Sequence, residues 1–547
     1  MPFGFEKPKD VPGAAWPAIM IGLFVAFGGV LYGYDTGTIS GILAMEYWLK
    51  LFSTQDDGTL TAGEDSLIVS ILSVGTFLGA LTASPCADIL GRRMGLMSST
   101  TVVFCAGVIM QTASTSQPLF IAGRFFAGYG VGLISAMIPM YQSETAPKWI
   151  RGAIVGSYQL AITIGLLLAA VVNNATKDRD DSGSYRIPIA VQFAWAIVLV
   201  GGLIFLPETP RYLVKRDKHE AAAKSLASLR RLDANHPAVV EELNEIVANH
   251  HYEMSIGTAS YLECCKGTIG KRLLTGCGLQ ALQQLVGVNF IFYYGTSYFQ
   301  NAGFDNPFII TVITNSVNVV STLPGLVAID KLGRRNLLLY GAIGMAVCQF
   351  IVAITGTVSS VDNLPAQRAM IAFVCIYIFF FASTWGPVAW VVTGELYPLK
   401  VRAKCLSMTT ASNWLLNWAI AYATPYMVNE EYGNLGSKVF FIWGSMCAIA
   451  ILFVIAFMSV YPFPTLKMIH TNIPNSYETK NLSLEQVDEL YATVSCAWKS
   501  KGFKPAISFQ DVDDVNDGKG IALNEAADLA RVKREGVATE DVRVEKV

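Results

Sequence analysis

The sequence predicts an all-α membrane protein with twelve transmembrane helices, arranged as two related bundles of six. Three observations support this fold class. Of the 547 residues, 52% are apolar and only 15% are charged, whereas a soluble domain carries about a quarter charged residues. The apolar residues fall into stretches long enough to cross a bilayer, and two compound motifs occur twice in the same order. An ordinary soluble protein is therefore excluded.

Each predicted span is a stretch of about 20 mostly apolar residues, bounded by charged or turn residues. The predicted spans are 16–37, 66–87, 94–113, 118–140, 152–172, 188–206, 273–295, 307–329, 337–358, 369–393, 404–427 and 438–460. Because their number is even, both termini are expected on the same side of the membrane.

Positive charge predicts which side that is, because Lys and Arg are retained in the cytoplasm. Most Lys and Arg outside the spans lie in loops that share a side with the N-terminus. We therefore expect a multi-pass protein of the plasma membrane with both termini in the cytoplasm. On the opposite side, Asn174 begins an Asn-Ala-Thr sequon in a predicted loop, which makes it a candidate glycosylation site.

A long polar segment with helical periodicity, 207–272, separates the first six spans from the last six. The same motifs occur on both sides of it. Asp88-x-x-Gly91-Arg92-Arg93 recurs as Asp330-x-x-Gly333-Arg334-Arg335, and Glu144-x-x-Pro147-x-x-x-Arg151 recurs as Glu395-x-x-Pro398-x-x-x-Arg402. Related halves about an axis along the membrane normal are typical of transporters whose substrate site lies between the halves.

These observations predict five regions. They are a cytoplasmic N-terminus (1–15), an N-terminal bundle (16–206), a cytoplasmic connector (207–272), a C-terminal bundle (273–460) and a cytoplasmic tail (461–547). Within the tail, 462–477 interrupts the spacing of the repeat and has no periodicity. We interpret it as a retained intron or gene-model error, with a genuine insertion as the alternative, and sequencing the transcript distinguishes the two.

Several short motifs distributed over about residues 16–491 identify a family. They are Gly33-Tyr34-Asp35-Thr36-Gly37, Asp88 to Arg93, Gly123-Arg124, Glu144 to Arg151, Pro207-Glu208-Thr209-Pro210-Arg211, Gln283-Gln284-Leu285-x-Gly287-x-Asn289, Asp330 to Arg335 and Glu395 to Arg402. In these motifs the chain resembles the sugar porters of the major facilitator superfamily (MFS), and within them the fungal hexose transporters. The resemblance implies the MFS fold and transport of a monosaccharide, glucose or a related hexose, by alternating access.

Amide side chains inside the spans predict a site for an uncharged ligand rich in hydroxyl groups. Asn and Gln both donate and accept hydrogen bonds without the cost of a buried charge. In a continuous seventh helix, Asn289 would lie above a broad polar face that carries Gln283 and Gln284. Trp390 and Trp414 offer faces on which a sugar ring can stack.

The resemblance implies that a defined set of these residues binds the sugar. The set is Gln159, Gln283, Gln284, Asn289, Asn318, Trp390, Asn413 and Trp414. The alternative is that intramembrane amides only form hydrogen bonds between helices.

Charged residues of both signs recur at the predicted cytoplasmic helix ends. They are Asp88, Arg92, Arg93, Glu144, Arg151, Glu208, Arg211, Asp330, Arg334, Arg335, Glu395 and Arg402. Across the two bundles they can form a gate that is intact when the site opens outward and broken when it opens inward. The alternative is that they only fix topology and cap helices.

Asp35 and Arg124 are ionisable residues well inside predicted spans, where such residues are functional candidates. One acid and one base suggest a pair. In proton-coupled sugar porters, the matching carboxylate titrates beside the matching arginine, so the resemblance implies that Asp35 is a candidate proton site. Fungal facilitators also keep this Asp, and both proton symport and facilitated diffusion stay open.

Other function classes are disfavoured. The net charge of −2 offers no basic excess for nucleic acid. No P-loop, HExxH motif or nucleophile elbow occurs, so we expect no enzyme activity, no cofactor and no metal site; the expected partners are the monosaccharide, the lipid bilayer and, in a symporter, H⁺. A glucose sensor is the alternative function, although the tail after Leu490 is short for a signalling appendage.

Overall fold

The computed structural model describes residues 13–55, 59–147, 150–256, 260–301, 306–359, 363–397, 401–429 and 431–457. These residues form helices, and no strand occurs among them. Ten helices of the described part are long and apolar enough to cross a membrane. The prediction of an all-α membrane protein is confirmed.

The first six membrane helices precede the connector. They are Trp16–Ala26 continued as Gly28–Ile42, Ala62–Leu90, Arg92–Ala113 with a π-helical stretch at Ser99–Phe104, Gln117–Thr145, Arg151–Thr176 and Gly183–Leu203. A short helix, Glu46–Phe52, follows the first of them, and the connector contains the helices Pro210–Lys215, His219–Arg230, Pro237–Ile256 and Tyr261–Cys264.

The last six follow the connector. They are Gly267–Leu285 with Val288–Asn301, Pro307–Leu332, Arg334–Val358, Leu364–Phe380 with Phe381–Trp385 (π-helical) and Gly386–Leu396, Arg402–Val428 and Val439–Phe457. The seventh and eleventh are not among the ten apolar spans. The seventh is broken into two shorter helices, and the eleventh is continuous but contains polar residues such as Asn413 and Asn417.

The repeated motif adopts the same turn in both halves. Gly91 and Gly333 have φ of +91° and +81°, a backbone conformation that glycine adopts without steric cost. The next helices begin at Arg92 and Arg334. Each arginine donates from Nη1 to the carbonyl five residues before it, at 3.3 Å in both halves. The sequence repeat is therefore also a structural repeat.

Two long helix pairs join the halves. The second membrane helix packs along the eleventh, and the fifth packs along the eighth. We call the end of the molecule that carries the connector helices the connector end, and the opposite end the far end. The predicted domain boundaries stay a prediction, and 462–477 lies outside the described residues.

The structure corrects two predictions of local geometry. The seventh membrane helix is not continuous, because it breaks between Leu285 and Val288. Asn174 lies in the last turn of the fifth membrane helix instead of in a loop, and the neighbouring Thr176 is buried with its hydroxyl donating to the Val172 carbonyl at 3.1 Å. Glycosylation at Asn174 stays a prediction.

Candidate functional site

The break in the seventh membrane helix is caused by Gly287. Its φ is +90°, and a Cβ at this position would lie 2.4 Å from Cγ of Trp443 in the twelfth membrane helix. Only glycine combines this conformation with this close approach. The break turns the two segments relative to each other, so that residues before and after it meet.

Gln283 lies at the centre of a buried amide network. Its amide nitrogen donates to the carbonyls of Trp385 and Gly386, at 3.0 Å each, where the π-helical stretch of the tenth membrane helix ends. Its amide oxygen accepts from Asn413 of the eleventh helix at 2.8 Å. Asn413 also donates to Gln280 at 2.7 Å. The seventh, tenth and eleventh helices are thereby joined through one side chain.

The network continues from Gln284 into the N-terminal half. The Gln284 amide oxygen accepts from Asn289, across the break, and from Asn417 at 3.0 Å. The Asn417 oxygen in turn accepts from the hydroxyls of Tyr293 at 3.0 Å and Ser73 at 2.6 Å. Ser73 belongs to the second membrane helix, so the network crosses between the halves.

The two predicted tryptophans also lie where the halves meet. Trp390 packs edge-on against Tyr158, with ring centroids 5.7 Å apart, and Trp414 packs edge-on against Tyr32 at 5.0 Å. The Trp414 indole donates to the Ser135 hydroxyl at 3.3 Å. Both of these tryptophans of the C-terminal half therefore contact the N-terminal half.

Gln159 and Asn318 lie on the helices of the other contact between the halves. A Cβ built on Gly386 would lie 3.4 Å from Gln159, which places this amide beside the carbonyl that Gln283 binds. Asn318 is fully buried in the eighth helix, and neither polar atom of its side chain has a hydrogen-bond partner among the described residues. Buried amides nearly always have hydrogen-bond partners. The two polar atoms of Asn318 are therefore free to bind a ligand.

Sequence reasoning missed Gln280 and Asn417 as members of the network. Gln280 precedes Gln284 by four residues, and Asn417 follows Asn413 by four. This spacing places each pair on one helix face. Helical spacing from the predicted amides was therefore a signal that could have found both.

This arrangement suits reversible binding of a polyhydroxylated, uncharged molecule. Every amide of the network can both donate and accept hydrogen bonds. A hydroxyl group of a ligand can do the same, so it can take the place of an amide partner without leaving a hydrogen bond unmade. Trp390 and Trp414 belong to the tenth and eleventh helices, which the network joins, and contact Tyr158 and Tyr32 of the N-terminal half. All eight predicted binding residues are buried in the structure.

The structure does not join Asp35 and Arg124 in an ion pair. Both are buried, but no nitrogen–oxygen contact within 4.0 Å links them. Asp35 instead accepts from the Gln192 amide at 3.2 Å, and Arg124 donates to the Ile68 carbonyl at 2.7 Å. Asp35 Oδ2 and Arg124 Nη2 have no partner among the described residues. The pairing suggested by one acid and one base is therefore absent.

The charged residues of the connector end form matching ion pairs in the two halves. Arg92 binds Glu144, and Arg334 binds Glu395, with a nitrogen–oxygen distance of 3.0 Å in each case. In the N-terminal half, Asp88 adds contacts to Arg92 at 3.6 Å and to Lys215 of the connector at 2.9 Å. These contacts lie within one half or between it and the connector.

Glu208 caps the third membrane helix. Its carboxylate accepts from the backbone N–H of Arg92 at 3.1 Å and of Arg93 at 3.0 Å, the first residues of that helix. Anions are favoured at a helix N-terminus. Burial raises the pKa of Glu208 above its ordinary value, and the N–H donors oppose that rise. The Arg93 guanidinium joins the start of this helix to the end of the sixth membrane helix, because it donates to the Leu203 carbonyl at 2.9 Å.

The remaining predicted gate residues lie at the same end. Arg151 and Arg211 line a cavity between the fourth and fifth membrane helices and the connector. Arg402 donates to the Tyr397 carbonyl at 3.0 Å, and Arg335 follows Arg334 at the start of the ninth helix. Asp330 lies in the eighth helix, but its side chain is outside the described part. A gate that links the two bundles stays a prediction.

Replacing Arg92 by glutamine is expected to lower the free energy of unfolding by about 3–5 kcal/mol, because it leaves Glu144 buried without its charge partner. The two side chains are only 8% and 12% exposed. The double variant Arg92→Gln/Glu144→Gln should recover part of the loss. Thermal unfolding of the purified protein measures both.

Arg179→Gln is the matched control, because the Arg179–Asp181 pair is half exposed and such pairs contribute little. We expect its unfolding temperature to equal that of the unmodified chain. Simple addition of the Arg92 and Glu144 effects in the double variant would contradict the interpretation.

Comparison with known families gives a consistent result. The sequence model described as "Sugar (and other) transporter" matches residues 21–472, which is most of the chain. This range contains all eight predicted binding residues and all predicted gate residues.

Three fungal proteins are similar over most of the chain. Identity is 61% to the major facilitator-type transporter ecdD of Aspergillus rugulosus, with 92% of each chain covered. It is 52% to the probable glucose transporter rco-3 of Neurospora crassa, over 94% of this chain and 86% of that protein. It is 42% to the high glucose sensor RGT2 of Saccharomyces cerevisiae, over 90% of this chain and 63% of that protein.

A solved structure shares the fold. The MFS proton:xylose symporter XylE, bound to 6-bromo-6-deoxy-D-glucose, superposes with a TM-score of 0.72 and 27% identity. The match covers 87% of this chain and 100% of that one. The predicted MFS architecture is thereby confirmed.

Proposed function

This chain belongs to the sugar (and other) transporter family, and from that premise we propose that it carries a hexose, glucose first, across the plasma membrane by alternating access. The observation that carries the proposal is the amide network centred on Gln283 and Gln284, which extends to Ser73 of the N-terminal half. On two of the helices that the network joins, Trp390 and Trp414 also contact the N-terminal half. The proposed cycle makes and breaks no covalent bond. Both termini are assigned to the cytoplasm, so the connector end faces inward.

Alternating access requires contacts between the halves that form and break in each cycle. At the far end, the hydroxyl groups of Ser40 and Thr296 lie 3.1 Å apart. Near the connector end, the Ser407 hydroxyl donates to the Leu81 carbonyl at 3.3 Å. A single neutral hydrogen bond contributes about 0.5–1.5 kcal/mol, which thermal motion and substrate binding can overcome. These contacts are suited to a gate at each end.

Uptake of radiolabelled glucose in a cell that lacks its own hexose carriers tests the proposal. We expect saturable uptake that unlabelled hexoses inhibit. A sensor would bind glucose and signal without mediating uptake. Absence of uptake by correctly inserted protein, together with glucose-dependent signalling, would replace the transporter by the sensor.

Proton symport is a second candidate, and one observation favours it. Asp35 is 1% exposed, and its Oδ2 has no partner among the described residues, so this oxygen is available to a proton. A protonophore distinguishes symport, which it inhibits, from facilitated diffusion, which it leaves unchanged.

A further inference from the structure

Side chains from three other helices converge on the break in the seventh membrane helix. The Val286 carbonyl accepts from the Tyr377 hydroxyl of the tenth helix at 2.9 Å and from the Gln349 amide of the ninth at 3.4 Å. The Cys447 thiol of the twelfth helix lies 3.9 Å from the same oxygen. All three side chains are buried. One backbone carbonyl is therefore the meeting point of four helices.

The break itself explains why this carbonyl needs partners. Val286 directly follows the last residue of the first segment, Leu285, and the last carbonyls of a helix have no partner within it. A backbone group without a partner inside a bilayer costs several kcal/mol. Tyr377 and Gln349 supply the missing donors, so they stabilise the broken form of the helix against other arrangements.

The same break sets the geometry of the amide network. Gln283 and Gln284 lie before it, and Asn289 lies after it. The contact from Asn289 to Gln284 therefore depends on the angle between the two segments. No hydrogen bond of Tyr377 reaches any of these three amides, and its hydroxyl acts on the Val286 carbonyl.

We infer that Tyr377 and Gln349 are positioning residues of the sugar site: by binding the Val286 carbonyl, they fix the angle at which the second segment presents Asn289 to Gln284. This inference rests on the proposed function, because it assigns a role to residues outside the site in binding the same sugar. The affinity for the sugar is thus set partly by residues that do not touch it.

Tyr377→Phe tests the inference, because it removes the hydroxyl and keeps the ring. We expect the Kd for glucose, measured on the purified full chain, to rise about three- to tenfold, the effect of one hydrogen bond. Tyr185→Phe is the matched control. Tyr185 is also fully buried and its hydroxyl also donates to a backbone carbonyl, that of Ser114 at 3.0 Å, but both residues belong to the N-terminal half. We expect its Kd to equal that of the unmodified chain.

A double-mutant cycle with Asn289→Ala separates positioning from a general loss of stability. If Tyr377 acts through Asn289, Tyr377→Phe changes the Kd much less in the Asn289→Ala background. An equal factor in both backgrounds, or an unchanged Kd in Tyr377→Phe, would overturn the inference. If Tyr377→Phe yields no folded protein, Gln349→Met is measured in the same cycle. Failure of the unmodified chain to bind glucose would instead refute the proposed function.

Discussion

Gln283→Leu is expected to lower glucose uptake by at least about 100-fold, because it removes the amide that joins three helices of the site. Leucine leaves the carbonyls of Trp385 and Gly386 without their donor and Asn413 without an acceptor. Each unsatisfied buried group costs about 1–3 kcal/mol, and the lost bonding capacity is what a sugar hydroxyl would use. Uptake rate against glucose concentration, in cells with matched surface expression, measures the effect.

Gln142→Leu is the matched control for this experiment. Gln142 is also fully buried and also donates to two carbonyls, those of Gly22 at 2.9 Å and Ile154 at 3.0 Å. These bonds join helices of the N-terminal half outside the amide network. Both variants should lose stability, but only Gln283→Leu should lose glucose affinity. Similar Kd values for the two variants would contradict a binding role for Gln283.

Asp35→Asn is expected to abolish proton-driven accumulation of sugar while leaving exchange of labelled for unlabelled sugar across the membrane. Asparagine can keep the contact with Gln192 but cannot take up and release a proton. In a symporter, sugar addition should make the medium of unmodified cells more alkaline, and this response should disappear in the variant. The pH of a weakly buffered cell suspension provides the measurement.

Asp65→Asn is the matched control, since Asp65 is another carboxylate of the N-terminal half with a buried oxygen that has no partner among the described residues. It lies in the first turn of the second membrane helix, whereas Asp35 lies within the first and binds Gln192. If the chain is a symporter, we expect cells with Asp65→Asn still to make the medium more alkaline when sugar is added. If a protonophore leaves the uptake rate of the unmodified chain unchanged, symport is excluded and the chain is a facilitator.

Two predicted spans, the fourth and the fifth, end too early, because the sequence becomes polar there. The fourth membrane helix continues past 140 to Thr145, and the fifth past 172 to Thr176. Both extensions contain a buried amide, Gln142 and Asn173, that donates to carbonyls of neighbouring helices. Hydropathy along one segment cannot reveal such partners, because they come from other segments.

The candidate site was also only partly predictable from the sequence. Gln283, Gln284 and Asn289 were identified from their residue types and from the family motif. Their mutual contacts were not, since a continuous helix was expected and the helix breaks at Gly287. Asn417 joins the network because the eleventh helix packs against the seventh, where the Asn417 amide binds Gln284, and against the second, which brings Ser73 to it.

The sequence by itself determined the membrane class, the placement of the helices along the chain, the internal repeat and the family, because these depend on local composition and on motifs within short segments. Only the tertiary structure decided which side chains are partners. Asp35 accepts from Gln192 instead of pairing with Arg124, and the repeated arginines pair within their own halves. Hydrogen bonds and ion pairs depend on which helices touch, and that contact is a property of the packed molecule.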